Sequence, residues 1–386
     1  MTRLLGAALA IWTTILLSGC TPPPTDENLG GAVPKIFSGD PDPRYTRASP
    51  AVALRFPHDH GPHEDHQVEW WYFTGNLQDQ NGRRFGFELT FFRVAQAPPG
   101  SSSVAASAST WRTRQTYLAH FAVTDVASGQ FHAFERVARG AAGLAGCTTE
   151  PFRVWTESWS VQSTGQSFLP LRLHAADNGV AIELELTSEK GRVLQGEAGY
   201  SAKGSKPGQA SHYYSYPRLT ARGSVTVGDK QHKIAGRAWL DREWSTSVLD
   251  DELVGWDWFA LQLSDGRDVM VYHLRRADGS IDPFSAGVVI EGDGSSRKLT
   301  ASQFELEATG RWKSPETGIT YPSGWRIIVP SAGLELQVTP ALPGQELRLG
   351  TIYWEGAVDV TSLASTGESD EELSGVGYVE LVGYGE

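Results

Sequence analysis

From Val68 onward the chain alternates: apolar and polar residues change places at every second position, in short runs separated by Gly, Asn, Asp or Pro. The first half contains "TYLAHFAVTDV", "FRVWTESWSVQS", "LPLRLHAA", "VAIELELTS" and "RLTARGSVTVG". The second half contains "FSAGVVIEG", "GWRIIVP", "LELQVTP" and "TIYWEGAVDVTS". Period-two alternation sends successive side chains to opposite faces of a strand, so these runs predict antiparallel sheets, closed or sandwich-like. Long runs with a helical period are few, and forty-two Gly with thirteen Trp fit turn-rich β structure.

One pattern occurs twice. Trp70-x-Tyr72-Phe73-x-x-x-Leu77-x-Asp79 returns as Trp256-x-Trp258-Phe259-x-x-x-Leu263-x-Asp265. Each copy is followed by Gly-Arg (Gly82-Arg83, Gly266-Arg267) and then by an alternating segment ending in Arg, Phe85 to Arg93 and Asp268 to Arg275. Each unit reads as strand, polar turn, strand, which is a β-hairpin. The repetition predicts two similar β domains, residues 51–235 and 236–386, each opening on this hairpin. In the first copy Glu69, Trp71 and Phe73 share one face, Trp70 and Tyr72 the other. A strand apolar on both faces is expected between a barrel interior and a partner domain.

The first residues follow a different rule. "MTRLLGAALAIWTTILLSGC" carries one positive residue, Arg3, then an apolar run from Leu4 to Leu17. This is the form of a secretory signal, too short for a membrane span. Leu17-Ser18-Gly19-Cys20 resembles the bacterial lipobox, which implies a signal over residues 1–19 and lipidation of Cys20. Thr21 rather than Asp follows the cysteine, which for such lipoproteins implies the outer membrane, facing the periplasm. Residues 20–50, rich in Pro, Asp and Gly, read as a tether. Losing Arg3 takes the net charge from −12 to −13. An acidic chain without a basic run argues against nucleic acid and against an electrostatic grip on anionic lipid, leaving Cys20 as the expected membrane contact. Cys147 is then the remaining thiol, so no internal disulfide is expected, and it has no recognisable catalytic setting. No G-x-S-x-G elbow is present either.

"HDHGPHEDH", His58 to His66, holds four His and three acids in nine residues. It is not H-E-x-x-H, and the Gly-Pro bend scatters the rings, so we expect a structural lead-in and no metal.

"FPHDHGPHEDHQVEWWYFTGNL", "AWLDREWS", "GWDWFALQLSDGRDVMVYHLR" and "GVGYVELVGY" together resemble the AttH/carotenoid 1,2-hydratase family, over roughly residues 51 to 386. The resemblance implies an all-β chain of two lipocalin-like antiparallel β-barrel domains in tandem, without a cofactor. It also implies two kinds of activity. Some relatives are hydratases, and others look like accessory lipoproteins of ABC transporters. The hydratase branch has a His-x-aromatic pair followed at a fixed interval by an aromatic-x-Asp pair. His212-x-Tyr214 and Trp239-x-Asp241 occupy those places, which implies Asp241 as proton donor. The sequence departs at Arg242-Glu243, where hydratases tend to carry His and Asn.

Protonating an isolated C=C needs an acid kept neutral near pH 7, hence burial in apolar surroundings. Trp239 and Trp244 could supply these, and Glu243, on the same strand face as Asp241, would raise its pKa by repulsion. Tyr214, Trp239 and Trp71 could each stabilise a carbocation by ~0.5–2 kcal/mol, while His212 holds or deprotonates the water. The alternative is that Asp241-Arg242-Glu243 is an ion-pair knot joining the barrels. The expected ligand is an apolar small molecule, polyene, isoprenoid or acyl, with Trp71, Glu243 and Trp244 as candidate binding residues. Two activities stay open: a hydratase using Asp241, and a carrier that hands cargo to or from an ABC transporter. The anchor is directly testable. Cys20→Ser should abolish lipid labelling and release the protein into the soluble periplasmic fraction; unchanged fractionation with no label on the wild type would remove the lipoprotein reading.

Overall fold

The doubled pattern folds into the same hairpin twice. The computed structural model describes residues 42–100, 113–247, 252–363 and 373–385; the signal, Cys20 and most of the tether lie outside them. Strands β1 (Val68–Asp79) and β2 (Arg84–Ala95) pair antiparallel, as do β14 (Leu253–Leu263) and β15 (Asp268–Arg276). Each turn closes on a glycine at positive φ, Gly82 at 83° and Gly266 at 92°. That backbone suits the three-residue hairpin turn, and it is why Gly-Arg follows both copies.

The first hairpin continues into a second, β3 (Gln115–Asp125) and β4 (Gln130–Arg139). A meander follows: β5 (Ala145–Thr149), β6 (Phe152–Thr156), β7 (Trp159–Ser163), β8 (Leu171–Asp177) and β9 (Val180–Ser188). Two short strands, β10 (Val193–Leu194) and β11 (Tyr200–Ala202), lie against the long β12 (Ala210–Val227). The equally long β13 (Lys230–Ser247) then returns to pair with both β12 and β1. The sheet order is β4-β3-β2-β1-β13-β12-β9-β8-β7-β6-β5.

In the second half β15 is followed by β16 (Ala286–Ile290), β17 (Ser296–Thr300), β18 (Glu305–Ala308) and the small pair β19 (Arg311–Lys313) and β20 (Thr320–Pro322). Then come β21 (Trp325–Val329), β22 (Leu334–Pro340), β23 (Glu346–Arg348), β24 (Ile352–Ser362) and β25 (Ser374–Val382). The order β17-β16-β15-β14-β25-β24-β22-β21-β18 repeats the circuit of the first sheet. In both, the opening strand lies between its hairpin partner and the last strand. The fold is therefore the expected tandem lipocalin-like arrangement, with a nearly closed barrel first and a half-barrel second.

The division between the sheets falls after Ser247 rather than at 235/236, because β13 runs unbroken across that point and stays paired with β12 and β1. Gly236 is no boundary: a Cβ there would lie 2.1 Å from the Asn76 carbonyl oxygen, so glycine marks a close strand approach.

The apolar side chains form three cores. Trp71, Phe73, Phe87 and Trp159 help fill the first barrel; Phe259, Val271, Trp325 and Trp354 help fill the second. A third core lies between the sheets and takes Tyr72, Tyr213, Trp239, Trp258, Tyr353 and Tyr378 from both halves. β1 thus divides as its alternation requires, Trp71 and Phe73 into the first barrel, Tyr72 and the half-buried Trp70 into the seam. Polar clamps cross the seam as well. Buried Asp268 accepts Lys190 at 2.6 Å and Arg218 at 2.7 and 2.9 Å, and Gln262 donates to the Pro217 and Ala238 carbonyls at 2.7 and 3.0 Å.

Inside the first barrel, fully buried Glu69 accepts hydrogen bonds from Arg93 and Arg242 and from the His63 amide at 3.0 Å. Arg93 also donates to the His63 and His66 carbonyls at 2.9 Å, and Arg242 to the Gly61 carbonyl at 2.6 Å. Burial opposes ionisation of Glu69, but the two arginines outweigh it and hold the carboxyl well below its ordinary range. Glu69→Gln would leave two buried guanidiniums without their counter-charge, and should cost about 3–5 kcal/mol in chemical denaturation. Arg84→Ala, which removes a half-exposed pair with Asp359 at the seam, should cost under about 1 kcal/mol. Equal losses would mean that the buried cluster around Glu69 contributes no more to the fold than a surface ion pair.

Candidate functional site

Register decides which sequence candidates meet. In antiparallel pairing, residues opposite one another share a face. Tyr213 lies opposite Glu243, Ser215 opposite Asp241, His212 opposite Trp244 and Tyr214 opposite Arg242. On the other flank of β13, Tyr72 lies opposite Asp241 and Trp71 opposite Arg242. Trp239, Asp241 and Glu243 therefore face the seam between the sheets, together with Tyr72, Tyr213 and Ser215. His212, Tyr214, Trp71 and Trp244 face the interior of the first barrel.

This corrects the expected constellation, in which His212, Tyr214, Trp71 and Trp244 shared a cavity with Asp241. Alternation within each strand was sound, but the parity of β12 that meets Asp241 is odd, not even. The ion-pair knot is corrected too: Arg242 turns inward to Glu69, with its guanidinium 4.0 Å from the Trp71 ring and 5.0 Å from Trp244. Arg242 points away from Asp241 because neighbours in a regular strand face opposite sides.

The inward group forms its own cluster under the His58–His66 segment. His63 stacks on Trp244 at 3.9 Å, and His60 stacks on Phe168 at 3.6 Å and meets the Tyr214 hydroxyl at 2.6 Å. Burial pulls the His212 ring down to about 4 and that of His60 to about 3, so both are neutral at pH 7. The 3-10 turn His58–His60 brings ligand atoms of His58, Asp59 and His63 within 4.8 Å of one another, a convergence that the spacing did not show. Asp59 Oδ1 lies 2.7 Å from His58 Nδ1 and 3.3 Å from His63 Nε2.

The seam holds a cavity of about 70 Å³, room for a few waters at roughly 10–15 Å³ each. Its apolar walls include Trp70, Tyr72, Trp256 and Trp258; Asp241, Glu243, Glu380 and Lys203 supply its ionisable groups. Asp241 accepts hydrogen bonds from Tyr213 at 2.5 Å, Ser215 at 2.5 Å and Trp239 Nε1 at 2.7 Å. Burial nevertheless pushes its carboxyl up to about 7, and Glu243 adds repulsion. Three neutral donors do not offset the loss of water around a full charge.

Glu380 was not singled out from the sequence. Trp258 lies opposite Glu380 as Tyr72 lies opposite Asp241, so Glu380 is the second-domain counterpart of Asp241. The doubled pattern held that signal, since Tyr72 and Trp258 are its matching positions. Trp256 Nε1 donates to Glu380 at 2.9 Å, and burial pushes the carboxyl up to about 8, with Glu88, Asp241 and Glu243 adding to the effect. Further along the seam Tyr72 donates to Glu355 at 2.5 Å and Tyr353 meets His120 Nδ1 at 2.8 Å. Burial raises Glu88 and Glu355 as well.

The AttH-like family matches residues 47–384. A crystal structure of a candidate AttH from Nitrosomonas europaea is 33% identical, covering 88% of this chain and 99% of its own, with a TM-score of 0.76. Kievitone hydratase from Nectria haematococca is 15% identical, covering 89% and 97%, with a TM-score of 0.64. CghA is 14% identical over the same shares, with a TM-score of 0.50. The last two share the fold. No curated protein matches the chain.

The raised carboxyls fix the direction of a pH dependence. Below about pH 3 Asp241 is largely protonated whether folded or unfolded; as pH rises through about 4, the unfolded chain releases a proton that the folded one keeps until about pH 7. Folding stability from this group therefore falls between pH 4 and 7, by about 4 kcal/mol, and is level above. The stability of Asp241→Asn relative to wild type should rise by that amount over this range, read from denaturation midpoints. A difference that does not change with pH would mean that Asp241 ionises in the ordinary carboxylate range.

Proposed function

The chain belongs to the AttH-like family, and from that premise we propose a lipid-anchored envelope protein that takes the reacting C=C of an unsaturated molecule, rather than the whole molecule, into the seam cavity and adds water across that bond. The observation that carries this reading is Asp241: a buried carboxyl, held near neutrality, on the wall of an aromatic cavity. Such a group is half protonated where the reaction would run, which is the condition for general acid catalysis. Asp241 gives its proton to one alkene carbon, and the aromatic faces of Tyr72, Trp258 and Trp70 stabilise the cation by ~0.5–2 kcal/mol each. Water adds through oxygen to the neighbouring carbon, and its spare proton returns to the Asp241 carboxylate. The sum is alkene plus water giving an alcohol. Glu380, protonated at pH 7, can hold the water by hydrogen bonding; His212 has no part, since it faces the barrel interior. The same fold serves a protein named kievitone hydratase.

The alternative, a carrier working with an ABC transporter, uses the same cavity without chemistry. The apolar filling of both barrels favours the seam for cargo as well. In either case Cys20 would tether the protein to the outer membrane, facing the periplasm. An acyclic carotenoid and an unsaturated fatty acid incubated with the protein in heavy-oxygen water separate the two readings. Hydratase action gives a product with one labelled hydroxyl, and Asp241→Asn lowers its formation by at least ~10²-fold while ligand quenching of tryptophan fluorescence persists. Saturable quenching with no labelled product from the wild type would leave the carrier.

A further inference from the structure

Lys203 has no role in that reaction, yet it is buried on the wall of the same cavity. It follows β11, and its backbone is fixed by a hydrogen bond from its amide to the Gln209 carbonyl at 2.9 Å. Its Nζ lies 3.6 Å from Glu243 Oε1 and 4.1 Å from the centre of the Tyr272 ring. Glu243 is held in turn by the Ser211 hydroxyl. Burial opposes the charge on both groups: Glu243 and Tyr272 outweigh it for Lys203, whose pKa is raised, while for Glu243 burial wins and raises the carboxyl; an apolar pair would close the seam at least as well.

Beyond Tyr272 the wall opens. A groove of about 300 Å³ lies between β11 and the β15–β16 pair, lined by Tyr200, Ser201, Met270, Phe284 and Tyr272 among others. Tyr272 lines both spaces, so its ring, with Lys203 over it, marks the waist between the smaller cavity and the larger groove.

We propose that the ligand is an elongated amphipath rather than a pure hydrocarbon: it enters along the groove, crosses the waist at Tyr272, and presents an acidic oxygen, such as a carboxylate or phenolate, to Lys203 in place of Glu243. The inference rests on the reading of the seam cavity as the ligand site and narrows its substrate class. Lys203 is the cation that can exchange partners there, because Glu243 keeps Ser211 as a donor when the ammonium turns to a ligand. The aromatic face of Tyr272 holds the ammonium in place during the exchange.

Parinaric acid, a fluorescent polyene carboxylic acid, and its methyl ester differ only at the head group. With the purified full chain, the acid should bind about tenfold more tightly than the ester, the scale of one charge-assisted hydrogen bond. Lys203→Met should erase the preference by weakening the acid alone. Glu243→Gln should tighten the acid and leave the ester unchanged, since the competing carboxylate is gone; this arm decides the matter if Lys203→Met fails to fold. Equal binding of acid and ester by the wild type, or equal weakening of both by Lys203→Met, would overturn the role of Lys203 and leave the cavity standing. Absence of saturable binding by either probe would overturn the cavity reading as well.

Discussion

Glu69, clamped between Arg93 and Arg242 inside the first barrel, is the interaction on which the rest of the site depends. Its three partners come from β2, β13 and the segment before β1, so a slip of any one of them by a single residue would strand a charge in the core. With Arg242 committed inward, its neighbours Asp241 and Glu243 have to point outward, into the seam. The chemistry of the cavity is thus set by an ion pair on the far side of the same strand.

The second constraint is duplication. Each half places a carboxyl opposite the matching aromatic of its opening strand, Asp241 opposite Tyr72 and Glu380 opposite Trp258. Packing the halves across a shared apolar core brings the two carboxyls to one cavity and strips both of water. Like charges in one dry space discourage each other's ionisation, and neither carboxyl has an arginine to relieve it among its hydrogen-bond partners in the described residues. The raised pKa values follow from assembly of the two halves, with no special residue needed in either.

Much of this was legible in the sequence. Alternation gave the β class, the repeated Trp-x-aromatic-Phe unit gave the two domains, and the apolar residues on both faces of β1 gave its position between two cores. Asp241 was legible through its resemblance to an aromatic-x-Asp pair. What stayed hidden was register. His212 and Tyr214 have the parity of a shared face with Asp241 only under a pairing one residue removed from the real one, and nothing local to "SHYYSYPRLT" reports which applies. The long pairing of β13 across 235/236 was hidden as well: the close approach of Gly236 to Asn76 is a contact between strands, which no local pattern reports. Glu380 was hidden because the doubled pattern spans only the opening hairpins, whereas Glu380 lies on the strand that closes its sheet.

The cavity lies between the two barrels, outside both of the cores that fill them. Its walls, Trp70, Tyr72, Trp256 and Trp258 among them, are the outward members of strands whose inward members do the folding. Inheritance can therefore act on the two sets separately. A substitution on the outward positions changes the cavity and the core of the seam, while the cores inside the two barrels keep their packing. A scaffold of this kind can remodel its seam without first becoming a different fold.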